Sequence, residues 1–484
     1  MSSYLRCAFI LSLLLSETVV LAHRWYNWQF DITCESTAYI APRDEDDLVK
    51  FIKQENPLRS MLKVVGNGHS FGNMTTCVDS SATNRSSYII SLTNLKNITT
   101  DTTKRTATFG AGWDLIDLVP RLRQDNLSVA NLGTERVQNF IGAFTTGTHG
   151  TGRHIGNLAT QVIGFRAVDA NGSITIANET QKPELLDAFR ISLGALGIIT
   201  EVTIKVEPLT YLKRTTEVYN SSSNLTEMYT SIQKLYEQHD RMMVWGPHMT
   251  WNDSNSTWVI EPQMSVTYWE PTNITNVNNC SSNYCANGCG HCLRNYSCYD
   301  EASDAVSTPP AGVCNRFFYA EIEHFFPMEN FVSAAVNYTE FQRSLNMTGY
   351  NNQNMIYELR FVKGDQTWMS PVNTYNLTHN GSGDVTFAVI EIDWYMEYND
   401  FPTLWFYQSL AEKFIPRFGR WYNARPHWGK MSWFRADFAN FIYPKLDKFL
   451  QLQGEWDPNC QFVNRFLVDH FNITRCRSIW NSGK

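Results

Sequence analysis

The feature that most constrains this chain is a short apolar segment, residues 62–65, that runs directly into a glycine-rich loop, residues 66–72, reading Gly-Asn-Gly-His-Ser-Phe-Gly. A strand that enters such a loop lets backbone N–H groups approach a phosphate, because no side chain stands in the way. The spacing departs from the dinucleotide fingerprint of Rossmann folds, since the third glycine comes one residue late and no clear helix follows. Taken alone, the loop is also compatible with a plain turn.

Two further loops of small and hydroxyl-bearing residues follow. Residues 145–152 read Thr-Thr-Gly-Thr-His-Gly-Thr-Gly, and they offer hydroxyls and backbone amides that can clamp a pyrophosphate without a lysine. Residues 193–200 read Leu-Gly-Ala-Leu-Gly-Ile-Ile-Thr and enter an alternating strand. Small residues at that place allow close approach of a flat ligand, or simply of another stretch of chain.

The pattern of apolar residues predicts an α+β fold. Between residues 39 and 209 short strands alternate with helices at 44–53 and 113–124, and Pro208 ends the last strand. Beyond it, helices at 225–239 and 401–414 are predicted among strands at 258–268, 317–324, 356–361 and 385–395. We therefore expect one domain over 23–210, a second over 211–430, and a C-terminal segment, 431–484, that packs back on the first.

Composition excludes several classes of protein. Hydrophobic residues make up 43% of the chain and charged residues 18%, which excludes a disordered chain. The formal net charge is −7 and the sequence has no basic stripe, so no nucleic-acid partner is expected. The many aromatic residues suit a large core and a binding cleft.

The first 22 residues are typical of a secretory signal peptide, with an apolar stretch that ends in a small residue, Ala22. No later run reaches the roughly 18 apolar residues of a membrane span, so no transmembrane anchor is expected after cleavage. Ten cysteines remain, and the chain carries eighteen Asn-X-Ser/Thr sequons. These counts predict a disulfide-bonded glycoprotein of the secretory pathway that is secreted or, alternatively, retained in the lumen of the endoplasmic reticulum.

A cysteine- and asparagine-rich insert is predicted over residues 271–314. In a secreted chain its six cysteines favour disulfides over a zinc site, and no metal is expected. Six cysteines allow fifteen pairings, between which the sequence does not choose. Of the other four, proximity in sequence favours Cys34 with Cys77 and Cys460 with Cys476.

Two motifs in the second half carry charged residues. Glu358 and Arg360 are two residues apart on a predicted strand, so their side chains point to the same face. Such a pair is either a structural ion pair or part of an active site. Residues 425–430, Arg-Pro-His-Trp-Gly-Lys, place a lysine beside His427 and a tryptophan, which suits an oxygen-rich substrate but also an exposed loop.

Taken together and in order, these motifs resemble the FAD-linked aldonolactone oxidases, the group of L-gulonolactone and D-arabinono-1,4-lactone oxidases in the vanillyl-alcohol-oxidase superfamily. The resemblance covers about residues 25–470, except the cysteine-rich insert, and it includes residues 64–70, 131–133, 147–152, 157–162, 193–198, 358–360, 368–371 and 426–430. It implies a two-subdomain FAD-binding domain with an α+β cap domain that binds substrate.

The resemblance also implies which residues hold the cofactor. His69 would carry FAD through a covalent bond to the flavin 8α-methyl group. The cofactor-binding residues would be Gly66, Asn67, Gly68, His69, Ser70 and Phe71; Thr146, Thr148, His149, Gly150, Thr151 and Gly152; and Gly194, Gly197 and Ile199.

For catalysis, the resemblance implies that Arg360 stabilises negative charge on the reduced flavin, while Glu358 and Lys430 hold the hydroxyls and carbonyl oxygen of an aldonolactone. Gly142 and Ala143, in a predicted loop, would leave room for O2, so that hydrogen peroxide is the second product.

Three further residues in the second half of the chain are candidates for contact with the substrate. Where relatives carry His or Asn, this chain has Glu391 and Asp393, and these two residues with His427 are candidate substrate contacts. The alternatives are a sugar or polyol oxidase of the same fold and a non-catalytic glycoprotein that keeps the fold.

Overall fold

The computed structural model of the chain describes residues 23–77, 85–277, 295–306, 318–347, 354–375, 377, 385–396 and 401–481. The predicted signal peptide lies outside the described residues, as does much of the cysteine-rich insert.

A small parallel sheet near the start of the chain leads into the first glycine-rich loop. It is preceded by an antiparallel pair of strands, β1 (His23–Tyr26) and β2 (Thr33–Ser36), and consists of β3 (Ala38–Ile40), β4 (Ser60–Val64) and β5 (Ser86–Ile90) with helix α1 (Glu45–Gln54) between β3 and β4. The strand order is β3-β5-β4, with both pairs parallel. Helix α1 begins where the Asp44 side chain accepts a hydrogen bond from the backbone N–H of Asp47, and it buries Leu48 and Ile52.

A five-stranded antiparallel sheet follows, with the order β10-β9-β11-β7-β6. This region contains β6 (Ile98–Asp101), β7 (Thr106–Gly110), α2 (Leu115–Arg123), β8 (Leu127–Ser128), α3 (Phe140–Thr145), β9 (Val162–Val168), β10 (Ile174–Asn178), α4 (Pro183–Arg190), β11 (Ile198–Lys205) and β12 (Glu207–Pro208). The loop expected at residues 140–143 is wrong: it is the first turn of α3. The Asn139 side chain caps this helix by accepting from the N–H groups of Ile141 and Gly142.

The second half of the chain is built on a ten-stranded sheet. Its elements are β13 (Tyr211–Asn220), α5 (Leu225–Gln238), β14 (Arg241–Trp245), β15 (Met249–Asn252), β16 (Thr257–Ile260), β17 (Gln263–Thr272), β18 (Tyr296–Glu301), α6 (Ala302–Val306), β19 (Phe318–Pro327), α7 (Phe331–Arg343), β20 (Asn354–Lys363), β21 (Thr386–Met396), α8 (Phe401–Tyr422) and β22 (Arg425–Pro426). The main path runs β18-β13-β17-β14-β20-β21-β19-β22, and β15 joins β20 beside it. The three strands β20, β21 and β19 are neighbours, and together they carry the acidic residues described below.

The structure corrects the expected elements here in two places. The single strand expected over residues 258–268 is two strands, β16 and β17, because Pro262 between them has no N–H to donate to a sheet ladder. The insert expected to lack regular structure contains strand β18, which pairs with β13, and helix α6. Residues 278–294 and 307–317 of the insert lie outside the described residues.

The C-terminal segment consists of α9 (Ala436–Ile442), α10 (Leu446–Trp456), α11 (Arg465–Phe471) and α12 (Ser478–Asn481). It contacts the first domain, since the Asn464 side chain donates to the carbonyl oxygens of Asn73, Met74 and Thr76. Disulfides join Cys34 to Cys77 and Cys460 to Cys476, as predicted. Among the described ranges, no helix combines the length and the apolar character that crossing a bilayer requires.

Candidate active site

A cavity of about 330 Å³ lies where the glycine-rich loops of the first domain face the large sheet of the second. All three loops contribute to its wall, together with β19, β20, β21 and the segment that carries Lys430. Glycine-rich backbone forms one part of the cavity wall, and carboxylates and a lysine form another part. A site of this size with a few polar groups in its wall is the usual form of a cofactor and substrate pocket.

The first loop lines the cavity over all six of its predicted residues, from Gly66 to Phe71. Gly68 adopts a φ of +67°, a left-handed conformation that favours glycine. A Cβ on Gly66 would lie 2.7 Å from the Cβ of Asn139, the residue that caps α3. The glycines therefore let this loop pack against the start of α3 while its backbone stays open to the cavity.

The His69 ring is held flat in the cavity wall. It stacks on the Trp28 ring, with centroids 5.1 Å apart and planes 4° apart. Burial and the positive charge of Lys430 lower the pKa of His69 to about 4. The imidazole is therefore neutral at pH 7, which is the nucleophilic form, and the described residues give its ring nitrogens no hydrogen-bond partner.

The second loop is divided between the cavity and the domain contact. Thr146 and Thr148 line the cavity, whereas the four residues that follow, His149, Gly150, Thr151 and Gly152, do not. The N–H of Gly152 donates to the carbonyl oxygen of Phe361 at 2.6 Å. The structure therefore does not bring these four residues to the cavity, and their positions do not support the expected contact with a pyrophosphate.

The third loop lines the cavity at its three predicted positions, Gly194, Gly197 and Ile199. Gly194 has a φ of +68°, and the nearest atom to a Cβ placed there is the Nζ of Lys63, 3.9 Å away. At Gly197 a Cβ would lie 2.8 Å from the carbonyl oxygen of Val168, so this glycine is also required for packing against β9.

Lys63 is a cavity residue that was not among the site residues predicted from the sequence. It lies in β4, lines the cavity and is only 7% exposed, and its ammonium group makes no hydrogen bond or ion pair with a described residue. Burial lowers its pKa to about 8. The signal was present in the sequence, since a lysine interrupts an otherwise apolar strand just before the first loop. A buried cation without a counter-ion in a cofactor cavity is suited to an anionic group of the cofactor.

Gly142 and Ala143, expected beside the flavin, both line the cavity from α3. A Cβ placed on Gly142 would meet no atom within 4 Å, so this glycine faces open space. The room there is available to a small molecule.

Three glutamates on adjacent strands form an acidic row beside the cavity. Glu391 on β21 is in register with Glu323 on β19 and with Glu358 on β20. Like charges directly opposite each other are destabilising unless a cation lies among them. Arg360 supplies that cation: its guanidinium lies 2.8 Å from Glu358 and 3.0 Å from Glu323, and it also contacts Glu391.

Arg360 is thus placed behind the cavity wall. It is 5% exposed and does not line the cavity, whereas Glu358 and Glu391 do. The predicted shared face of Glu358 and Arg360 is present, but the guanidinium contacts the glutamates rather than the open space. Although burial opposes ionisation of Glu323, the charges of His149 and Arg360 hold the pKa of this carboxyl below its usual range.

Lys430 connects the acidic row to the first domain. Its ammonium contacts Glu321 and lies 3.1 Å from Glu391, and it sits 5.3 Å from the centre of the Phe71 ring. His427 lines the cavity beside it, and its Nδ1 accepts from the N–H of Gly429. Burial lowers the pKa of His427 to about 4, so this ring is neutral at pH 7.

Two further acidic residues of the large sheet line the cavity, Glu321 on β19 and Asp393 on β21, and they face each other in register. Asp393 was expected as a substrate contact, whereas Glu321 and Glu323 were missed. Alternation along strand 317–324 could have indicated them, because both lie on the same face of the strand two residues apart.

Two family models match the chain, one in each half. An FAD binding domain matches residues 36–178, and a D-arabinono-1,4-lactone oxidase domain matches residues 315–470. The first contains the His69 loop and the second contains Glu358, Arg360 and Lys430. The fold is that of FAD-dependent oxidases: a cholesterol oxidase from Brevibacterium sterolicum superposes with a TM-score of 0.69 at 15% identity, over 93% of this chain and 97% of the other.

Curated relatives narrow this class. The chain is 25% identical to an L-gulonolactone oxidase of Scyliorhinus torazame, over 93% of this chain and 99% of the relative. It is 24% identical to an L-gulono-1,4-lactone dehydrogenase of Mycobacterium tuberculosis, over 91% and 97% of the two chains. The chain carries, in order, an FAD binding domain and a D-arabinono-1,4-lactone oxidase domain and is similar along its length to aldonolactone oxidases, and it is an FAD-dependent oxidoreductase that acts on CH–OH groups.

The cavity fits FAD on structural grounds. Its glycine-rich wall leaves backbone and open space where side chains would otherwise stand, and Gly142 is the clearest instance. Lys63 gives it a buried cation that has no counter-ion among the described residues, which suits the pyrophosphate of FAD. FAD would be held by the His69 loop, by Thr146 and Thr148, and by the loop around Gly194.

Proposed function

We propose that this protein is a secreted oxidase of aldono-1,4-lactones of the L-gulono, L-galactono or D-arabinono type, with FAD bound covalently to His69 and O2 reduced to hydrogen peroxide. The observation that supports it best is the cluster of Glu358, Glu391 and Lys430, which lines the same cavity as the cofactor loops. Carboxylates and an ammonium together suit a substrate that has several hydroxyls and one carbonyl oxygen.

Bound FAD would supply the acceptor for a hydride from the hydroxyl-bearing carbon beside the lactone carbonyl, and the proton of that hydroxyl group leaves to a carboxylate of the cavity or to solvent. The chain supplies binding and charge. The Lys430 ammonium donates to the carbonyl oxygen of the lactone, while Glu358 and Glu391 accept hydrogen bonds from its hydroxyls. Arg360, behind them, contacts both glutamates and holds them in place. The product keto-lactone would tautomerise to an enediol.

The covalent link rests on the neutral, unpartnered imidazole of His69 in the cavity wall. The test is acid precipitation of the purified protein: the flavin should stay with the wild-type protein and be released from His69→Ala. Release of all flavin from the denatured wild-type protein would contradict the covalent link and leave the rest of the proposal standing.

The choice of O2 as oxidant rests on the open space beside Gly142. Relatives of similar identity carry the names oxidase and dehydrogenase, so this point needs its own measurement. We expect reduced enzyme to be reoxidised by air with one peroxide formed per turnover. Reoxidation that is much faster with cytochrome c or a dye than with air would reverse the assignment.

Secretion rests on residues 1–22, the ten remaining cysteines and the eighteen sequons. Expression in a eukaryotic host should deliver the protein to the medium, and an N-glycosidase should increase its electrophoretic mobility. Retention inside the cell with glycans that remain sensitive to endoglycosidase H would instead indicate the endoplasmic reticulum.

A sugar or polyol oxidase is the second candidate, and the number of carboxylates in the cavity favours it. The large sheet alone contributes four carboxyl groups to the wall, those of Glu321, Glu358, Glu391 and Asp393, and each can accept a hydrogen bond from a hydroxyl group. A panel of aldonolactones, aldoses and alditols, read by anaerobic bleaching of the flavin, separates the two candidates.

A further inference from the structure

One acidic residue of the cavity differs from Glu358 and Glu391, because its carboxyl group makes no hydrogen bond or ion pair that the described residues show. Asp393 lies on β21, is 9% exposed and lines the cavity. Its Oδ1 is buried and makes no hydrogen bond to any described residue, and Asp393 makes no ion pair with a described residue. By contrast Glu391 contacts both Arg360 and Lys430.

The surroundings of Asp393 are unfavourable for a second negative charge. Glu321 faces it across β19 and β21, and one carboxylate oxygen each of Glu321, Glu391 and Asp393 lie within 4.8 Å of one another. Burial first, and then the charge of Glu358, raises the pKa of Asp393 well above its usual range, against the opposing effect of Arg360. These effects favour the protonated form of Asp393, in which the carboxyl group can donate one hydrogen bond and accept another.

A buried oxygen without a partner costs free energy unless a ligand satisfies it. An uncharged hydroxyl satisfies a protonated carboxyl best, because each group both donates and accepts. A divalent cation is a poorer candidate, since the Lys430 ammonium already occupies the position between Glu321 and Glu391.

We propose that Asp393 is the specificity-determining residue of the substrate pocket, and that it binds one hydroxyl group of the substrate other than the one that is oxidised. This inference rests on the proposed function, because it assigns a role toward the same polyhydroxylated substrate. A pocket that hydrogen-bonds a hydroxyl rejects the analogue without it, since the buried carboxyl is then left unpaired.

The test compares the best lactone substrate with the series of analogues in which one hydroxyl at a time is replaced by hydrogen. In the wild-type enzyme one of these deoxy analogues should lose about 10- to 100-fold in kcat/KM, the loss expected for one buried hydrogen bond. Asp393→Leu should lose a similar factor in kcat/KM with the full substrate. Removal of that hydroxyl from the substrate should then lower the kcat/KM of this variant only a little further. Asp393→Asn, which keeps a donor and an acceptor, should retain most of the discrimination.

Controls separate a recognition role from a structural one. Both variants should keep the wild-type flavin spectrum and melting temperature, and an exposed aspartate such as Asp447→Asn should change nothing. The inference is overturned if no deoxy analogue is discriminated, or if Asp393→Leu affects every analogue equally. It is also overturned by binding of Mn²⁺ at micromolar concentration that Asp393→Leu abolishes, because that result assigns a metal site.

The same panel keeps this inference apart from the proposed function. If an alditol or aldose reduces the flavin and no lactone does, the lactone substrate is refuted, and the deoxy series of the active compound still tests Asp393. If no polyhydroxylated compound reduces the flavin, both are overturned.

Discussion

Replacing Arg360 with alanine tests the charged network directly. The guanidinium is the cation that Glu323, Glu358 and Glu391 share, and the three carboxylates are each 6% exposed or less. Removing one partner of a buried ion pair usually costs about 3–5 kcal/mol, because a buried charge is left without compensation. We expect Arg360→Ala to lose at least that much stability at pH 7, measured from the midpoint of urea-induced unfolding.

The loss should depend on pH in a defined direction. In the wild-type protein the pKa of Glu323 is depressed, so its ion pairs stabilise the fold above its unfolded pKa and this contribution is lost as pH falls. Without Arg360 the buried glutamates should have raised pKa values in the folded state, so the folded variant binds protons that the unfolded chain does not. The stability difference should therefore be largest near neutral pH and shrink in acid.

Activity should fall as well, because Arg360 holds the two glutamates that line the cavity. We expect anaerobic flavin reduction to slow by roughly 100-fold, as for the loss of one preorganised charged group at a reaction centre. Arg360→Lys, which keeps the charge but not the fork of donors, should be intermediate in both measurements. An Arg360→Ala protein that unfolds like the wild type at pH 7, or reduces flavin at nearly the wild-type rate, would show that Arg360 does not hold the glutamates of the site in place.

The remaining predictions concern the cofactor and the substrate. In a His69→Ala background, Lys63→Met should weaken FAD binding by about 10- to 100-fold, as expected for a lost charge-assisted hydrogen bond, but should leave riboflavin binding unchanged. In the His69→Ala protein that keeps Lys63, FAD affinity should fall as pH rises through about 8, the pKa of Lys63. An FAD affinity that is the same at all pH values would contradict this. Gly142→Val should fold normally, because the site is open, and should slow reoxidation by O2 more than flavin reduction in stopped-flow measurements. Lys430→Met should raise KM for the lactone by about 10-fold or more while flavin stays bound, and an unchanged KM would remove Lys430 from substrate binding.

Local patterns in the sequence predicted the elements that have strong periodicity. Helices α1 and α5 lie close to their expected bounds, because the apolar residues of each repeat at helical spacing. Helix α3 was missed, since it is short, contains Gly142 and depends on the Asn139 cap, which outweighs the low helix propensity of glycine.

The site was predicted only as far as motifs mark it. The His69 loop, Glu358 and Lys430 stand in recognisable patterns, and the structure brings them to one cavity. Lys63 and Glu321 have no motif, and their importance depends on which strands become neighbours, which a single sequence does not fix. His149 belongs to the threonine- and glycine-rich motif but does not line the cavity, because the loop that carries it turns away to pair with β20.

The most direct test of the account is anaerobic mixing of the purified, flavin-containing protein with L-gulono-, L-galactono- and D-arabinono-1,4-lactones, followed by admission of air. We predict that at least one lactone bleaches the oxidised flavin band within the turnover time, and that air restores the band with formation of one equivalent of hydrogen peroxide. A flavin that stays oxidised with all three lactones would contradict the aldonolactone oxidase assignment.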